Sequence, residues 1–148
     1  MRIFNRIIFV AKSGTMREPM AVGIFRDCVS KREIEVLARG LIVSFPEPMN
    51  RKAEAILISN GITIEGFSSI ELTEEDITED TLILTMETKH KRKILARFQN
   101  ATPQNVFVLT EFVGDELEIL DPYGGSLQTY GLCYEMLRKS IKKLIKLL

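Results

Sequence analysis

The residues best suited to chemistry lie in AKSGTMR, 11–17. Consecutive backbone N–H groups in a tight loop form a concave anion site. A helix that starts just beyond adds its own unpaired N–H groups and partial positive charge. Arg17 supplies a planar fork that can grip two oxygens of a phosphate. Gly14 tolerates the positive φ that such a curl often needs. The candidate phosphate-binding residues are therefore Lys12, Ser13, Gly14, Thr15, Met16 and Arg17. The alternative is a plain strand-to-helix turn with a surface arginine, and one glycine with one arginine does not exclude it. Neither GxxxxGK[ST] nor GxGxxG is present, which disfavours a nucleotide-binding loop.

The second constellation is DPYGGS, 121–126. An Asp-Pro step starts a turn, and the paired glycines give a mobile or tightly folded loop. Opposite an anion loop, Asp121 becomes a candidate general acid that could protonate a leaving group. Tyr123 would line the wall of the mouth. The nucleophile is harder to find, because Ala11 carries only a methyl group. Ser13 and Thr15 are poor nucleophiles without an adjacent base, and His90, the sole histidine, falls on a predicted surface helix. Cys28 and Cys133 are expected to pack in the core. Two distant cysteines and one histidine argue against a zinc site.

These residues need a scaffold, and the pattern alternates strand and helix. RIIFVA (6–11) is, after Arg6, a continuous apolar run that suits a strand buried on both faces. Helix is predicted over 18–31, where Met20, Ile24, Phe25 and Cys28 recur at helical spacing and Pro19 sits in the first turn. A second strand is predicted over 33–40, then a turn-rich link at 45–50. A helix over 50–61 follows, closed by Asn60-Gly61. A short helix over 72–77 is capped by Thr73, with Asp76 three residues on. The third strand is expected over 80–86. A charged surface helix follows over 87–99, anchored by Ile94, Leu95 and Phe98. The segment 105–113 starts as the fourth strand. The final helix, 127–148, places Leu127, Tyr130, Leu137, Ile141, Leu144 and Leu148 on one broad face. Four buried strands separated by helices predict an α/β fold, an open four-stranded parallel sheet between helical layers. Ligands on such sheets bind beyond the carboxyl ends of the strands, where the loops after strands one and four both open.

A chain of 148 residues holds one sizeable core. Twenty basic and 20 acidic residues cancel, so bulk charge points to neither a nucleic-acid nor a membrane partner. The basic, amphipathic RKSIKKLIKLL is expected to dock on the core with a solvated basic face, the alternative being a membrane or partner contact. No apolar run reaches the ~18 residues of a membrane helix, and Arg2, Asn5 and Arg6 interrupt the N-terminal apolar residues. We expect no signal peptide, a cytoplasmic location and reduced thiols.

On these residues the chain resembles the low-molecular-weight protein-tyrosine phosphatases. That family carries V-C-x5-R-S-P-M-A near its N-terminus and D-P-[FY] near its C-terminus. The counterparts are Val10, Ala11, Arg17, Glu18, Pro19, Met20 and Ala21, then Asp121, Pro122 and Tyr123. VLARG, SSIELT and DTLILTM followed by KHK extend the likeness over nearly the whole chain. It implies a three-layer α/β/α fold and a single phosphatase-like domain over 1–148. DPYGGS with a following tyrosine is most similar to the bacterial branch that includes protein-arginine phosphatases. There a loop threonine favours phosphoarginine, and Thr15 holds the corresponding place.

The resemblance implies a two-step, cofactor-free mechanism. A loop cysteine attacks phosphorus while the aspartate protonates the leaving group; water then hydrolyses the phosphocysteine. Ala11 at the nucleophile position closes that route. Glu18 replaces a serine that supports the thiolate; its carboxylate would repel a ligand, or turn outward and favour the helix dipole. Met16 replaces a second cysteine, Gly14 replaces an asparagine, and Lys12 adds a cation. Ala11 is either a cysteine-to-alanine replacement or the natural state of a member that binds without hydrolysing. Met16 and Glu18, which one replacement would not produce, favour the latter.

Two functions follow as expectations. One is a scaffold for phosphotyrosine or phosphoarginine hydrolysis, inactive as written. The other is a non-catalytic pseudophosphatase that binds phosphate or phosphoprotein. A scaffold with no anion function is the third reading. The expected partner is a phosphorylated protein or small phosphate ester, and the expected assembly a monomer or weak dimer.

Overall fold

The structure, a computed structural model, describes residues 3–29 and 33–148. Four strands form one parallel sheet: β1 (Arg6–Ala11), β2 (Glu35–Gly40), β3 (Thr81–Thr85) and β4 (Val106–Val108), in the order β2-β1-β3-β4. Among the described residues, five helices flank it: α1 (Arg17–Cys28), α2 (Arg51–Ser59), α3 (Thr88–Arg97), α4 (Leu109–Val113) and α5 (Leu127–Leu147). The predicted four-stranded α/β architecture is thus the one formed.

Strand β1 is central, and its side chains alternate between two cores. Ile7 and Phe9 pack into the larger core, with α1, α2 and α5. Ile8 and Val10 pack into the smaller one, with Ile94 and Phe98. Both faces are covered, which explains a strand without polar alternation. Ala11 pairs with Gly40 and Val10 with Thr85, so the loops after β1, β2 and β3 emerge side by side at one sheet edge.

Helix α1 is buried from Arg17 through Phe25, because it packs against β1, β2, α2 and α5 together. It ends at Cys28, where Val29 is already extended. Of the predicted helix over 18–31, Ser30 and Lys31 lie outside the described residues, as does Arg2. Strand β2 begins only at Glu35, where its pairing with Arg6 begins. The segment 105–113 is strand only over Val106–Val108, matching the short pairing with Ile83–Thr85. It then turns into α4, which closes on left-handed Gly114. The short helix after Thr73 is one 3-10 turn, Glu74–Asp76, with the Asp76 carboxylate accepting the Thr73 N–H.

Helix α5 buries Tyr130, Leu137, Ile141 and Leu144 as expected, together with Cys133 and Tyr134. Leu127 and Leu148 are exposed instead, because the two ends of this 21-residue helix overhang the core. Among the described residues, no helix is long and apolar enough to cross a membrane.

Candidate functional site

The loop between β1 and α1 curls over the carboxyl edge of the sheet. Gly14 takes φ +79°, the left-handed angle its type permits. Gly40, at the end of β2, makes the curl possible: a Cβ there would lie 2.6 Å from the Gly14 nitrogen. The Leu41 and Ile42 N–H groups donate to the Lys12 carbonyl, each at 2.9 Å, and the Asn50 N–H donates to the Thr15 carbonyl at 2.9 Å. The outer wall of the loop is therefore bonded to its neighbours.

Inside the curl lies a cavity of about 420 Å³. Ala11, Lys12, Ser13, Thr15, Met16 and Arg17 line one side, and Asp121 and Tyr123 the other. The sequence-predicted residues thus meet around one hollow, with Gly14 in the backbone beneath. Asp121 is half exposed, with its Oδ2 3.9 Å from the Arg17 guanidinium. Its Oδ1 accepts the Tyr123 N–H at 3.1 Å, which fixes the turn. Tyr123 itself stands exposed at the rim.

Arg17 is 2% exposed and held from behind. Its Nη1 donates to the Ile119 carbonyl and its Nη2 to Glu87 Oε2, both at 2.8 Å. A buried guanidinium requires such partners. They use part of its five-donor fork, leaving donors for a ligand.

Of the two orientations open to Glu18 one is excluded, and a second expectation is overturned. Glu18 does not turn outward. It is 1% exposed, lines the cavity beside Ala11, and accepts the Gly14 N–H on Oε2 at 2.7 Å. Burial pushes its carboxyl above the ordinary range, while bonding to the Glu18, Gly14 and Met16 amides and the charge of Arg17 oppose the rise. A carboxyl group thus sits among the loop amides beside Ala11. The second concerns His90, which is buried, not on the surface. Its Nδ1 accepts the Glu87 N–H at 3.2 Å, so the proton is on Nε2, 3.7 Å from Glu87 Oε2. Burial first, then the nearby Arg17 charge, push its pKa down to about 4.

Cys133 is fully buried behind the loop, and burial raises its thiol to about 12; it is no nucleophile. Cys28 is half-buried against the larger core. The Tyr130 hydroxyl donates to Met16 Sδ at 3.4 Å, so Met16 serves as packing.

Sequence reasoning missed Glu87, Glu47, Pro48 and Asn50. Glu87 follows β3 at the very edge where ligands were expected, and that position was the available signal. Glu47, Pro48 and Asn50 come from the turn-rich link and complete the cavity wall. Asn50 also caps α2, its Oδ1 accepting the Lys52 and Ala53 N–H groups.

Comparison with known proteins gives a consistent result. A family model described as "Low molecular weight phosphotyrosine protein phosphatase" matches residues 6–148. The low molecular weight protein-tyrosine-phosphatase PtpB of Staphylococcus aureus is 32% identical over 139 residues, 94% of this chain and 96% of that one. A protein-arginine-phosphatase of Bacillus subtilis is 32% identical over 143 residues, 95% and 94% of the two chains. Among solved structures, the low molecular weight protein tyrosine phosphatase of T. tengcongensis superposes with a TM-score of 0.90 at 34% identity. That match covers 97% of this chain and 99% of the other.

Proposed function

The chain belongs to the low molecular weight phosphotyrosine protein phosphatase family, and from that premise we propose that it holds a phosphorylated side chain without hydrolysing it by the thiol route. The observation that carries the reading is the pairing of Ala11 with Glu18 in the cavity floor. Ala11 stands at the family's nucleophile position and offers no group that can attack phosphorus. Glu18 fills the cradle beside it with a buried carboxylate. Binding falls to Arg17 and the backbone of residues 12–17, which face the cavity from one side. Asp121, opposite, would accept an N–H of a phosphoguanidinium ligand rather than protonate a leaving group. Thr15 in the wall supports a phosphoarginine ligand, and Tyr123 at the rim supports an aromatic one.

A second reading is a scaffold for phosphotyrosine or phosphoarginine hydrolysis blocked by Ala11 alone. The Asp121 carboxylate 3.9 Å from Arg17 favours it, because the acid and the guanidinium remain on one cavity.

The test combines binding and turnover. Phosphotyrosine and phosphoarginine peptides are titrated into the native chain and Arg17→Ala, and release of phosphate from a small aryl phosphate is followed for the native chain and Ala11→Cys. The proposal expects saturable peptide binding that Arg17→Ala removes, with native turnover at the buffer level. Turnover by the native chain would overturn it. Full turnover by Ala11→Cys alone would favour the second reading.

A further inference from the structure

We propose that Glu18 is the resident anion of the 12–17 loop, and that an external oxyanion binds there only when this carboxyl group carries a proton. The inference rests on the reading of that loop as a phosphoryl cradle. It goes beyond that reading in stating what already occupies the cradle and what must happen for a ligand to enter.

The geometry is specific. Glu18 sits in the first turn of α1, and its side chain folds back under the loop rather than out to solvent. Oε2 accepts the Gly14 N–H at 2.7 Å, and the Met16 and Glu18 amides also favour its charged form. These are the amides a bound oxyanion would require. Arg17, the adjacent cation, is turned to Glu87 and the Ile119 carbonyl instead. A dianion entering the cavity therefore meets a carboxylate in a confined space of low dielectric, where like charges repel strongly. Once protonated, Glu18 has a hydroxyl to donate, and the same atom that repelled the ligand can bond it.

Glu18 is the carboxyl group bonded to the loop amide of Gly14. Lys12 and Arg17 supply positive charge from the loop and α1, and Glu47, Glu87 and Asp121 supply negative charge from the neighbouring segments. From α5, the Cys133 thiol is held neutral with its pKa raised to about 12, and Tyr130 is raised as well. Burial lifts the Glu18 carboxyl above its ordinary range, which favours its neutral form.

The sign follows from linkage. Below the raised Glu18 pKa the carboxyl is already protonated, and anion binding takes up no proton. Above it, each bound anion takes up one proton, and affinity falls about tenfold per pH unit.

Sulfate is the probe, because its charge is constant across this range. Its binding is measured calorimetrically from mildly acidic to mildly alkaline pH, in paired buffers of different ionisation enthalpy. The native chain and Glu18→Gln are compared. The expected result is uptake approaching one proton per sulfate at alkaline pH, with the tenfold slope, and neither in Glu18→Gln. That variant should bind sulfate more tightly than the native chain at alkaline pH. Carbon NMR of the Glu18 carboxyl in the native chain should show conversion to the protonated form on saturation, and it decides the matter if the variant fails to fold. Identical pH profiles for both proteins, without proton uptake, would overturn the proposal and leave the loop reading standing. Absence of binding by both proteins at every pH would overturn the loop reading and the proposal with it.

Discussion

Acid should destabilise this protein in part through His90. Its imidazole is 2% exposed and neutral, with a pKa lowered from 6.5 to about 4. The unfolded chain binds the proton in the interval between these values and the folded chain does not. Stability is therefore fully present above the unfolded pKa and drains away as pH falls toward the folded one. Two binding polynomials give about 2 kcal/mol lost at about pH 5 and about 3 kcal/mol at about pH 4, from the shift to about 4. Neighbouring groups contribute in known directions. Arg17, Lys89 and Lys93 oppose protonation and Glu87 favours it. Other carboxyls titrate nearby, so the absolute slope is not diagnostic. The difference between the native chain and His90→Asn is, because asparagine keeps an acceptor for the Glu87 N–H without a titrating ring. Urea unfolding at neutral pH and at successive acidic steps should show the native chain losing those increments relative to the variant. The single histidine also allows a direct check, since its one imidazole NMR signal should titrate near pH 4. Parallel pH slopes for the two proteins, or an imidazole titrating at its ordinary value, would refute the reasoning. The functional consequence is local: a protonated His90 would compete with Arg17 for the Glu87 carboxylate, 3.7 Å away.

Removal of that carboxylate is the second test: Glu87→Ala leaves the Arg17 guanidinium buried with one acceptor fewer, and unfolding measurements should show a loss of about 3 kcal/mol. Gly40→Ala places a Cβ 2.6 Å from the Gly14 nitrogen, and should cost about 2 kcal/mol or more while shifting the amide resonances of the 12–17 loop. Asn50→Ala strips the side-chain cap from α2 and should cost about 1 kcal/mol in the same assay. Ala11→Cys alone should yield aryl-phosphate turnover roughly tenfold to a hundredfold below that of Ala11→Cys/Glu18→Ser, because the Glu18 carboxylate raises the pKa of an adjacent thiol. Equal rates for the two would contradict it.

The architecture was legible because its signals are local. The unbroken apolar run of β1 announced a strand covered on both sides, and the flanking helices supplied the cover. Arg17 and Asp121 were found from loop chemistry, and the fold closes the distance between them to 3.9 Å. What stayed hidden depends on contacts between distant segments. A glutamate at a helix start normally faces water, and only the amides of the curled loop draw Glu18 inward. His90 sits within TKHKRK, which reads as a solvated face, yet its own position faces Glu87 and the sheet. The end of β4 was obscured because VFVLTEFV is apolar but for Thr110 and Glu111, and pairing with β3 rather than composition sets where the strand stops.

The most direct measurement is a crystal soaked in tungstate at mildly acidic pH and located by anomalous scattering. Heavy-atom density inside the curl of residues 12–17, within bonding distance of the Arg17 guanidinium, is the expected result. Density confined to other basic surfaces, with the Glu18 carboxylate still bonded to the Gly14 amide and the cavity unfilled, would contradict it.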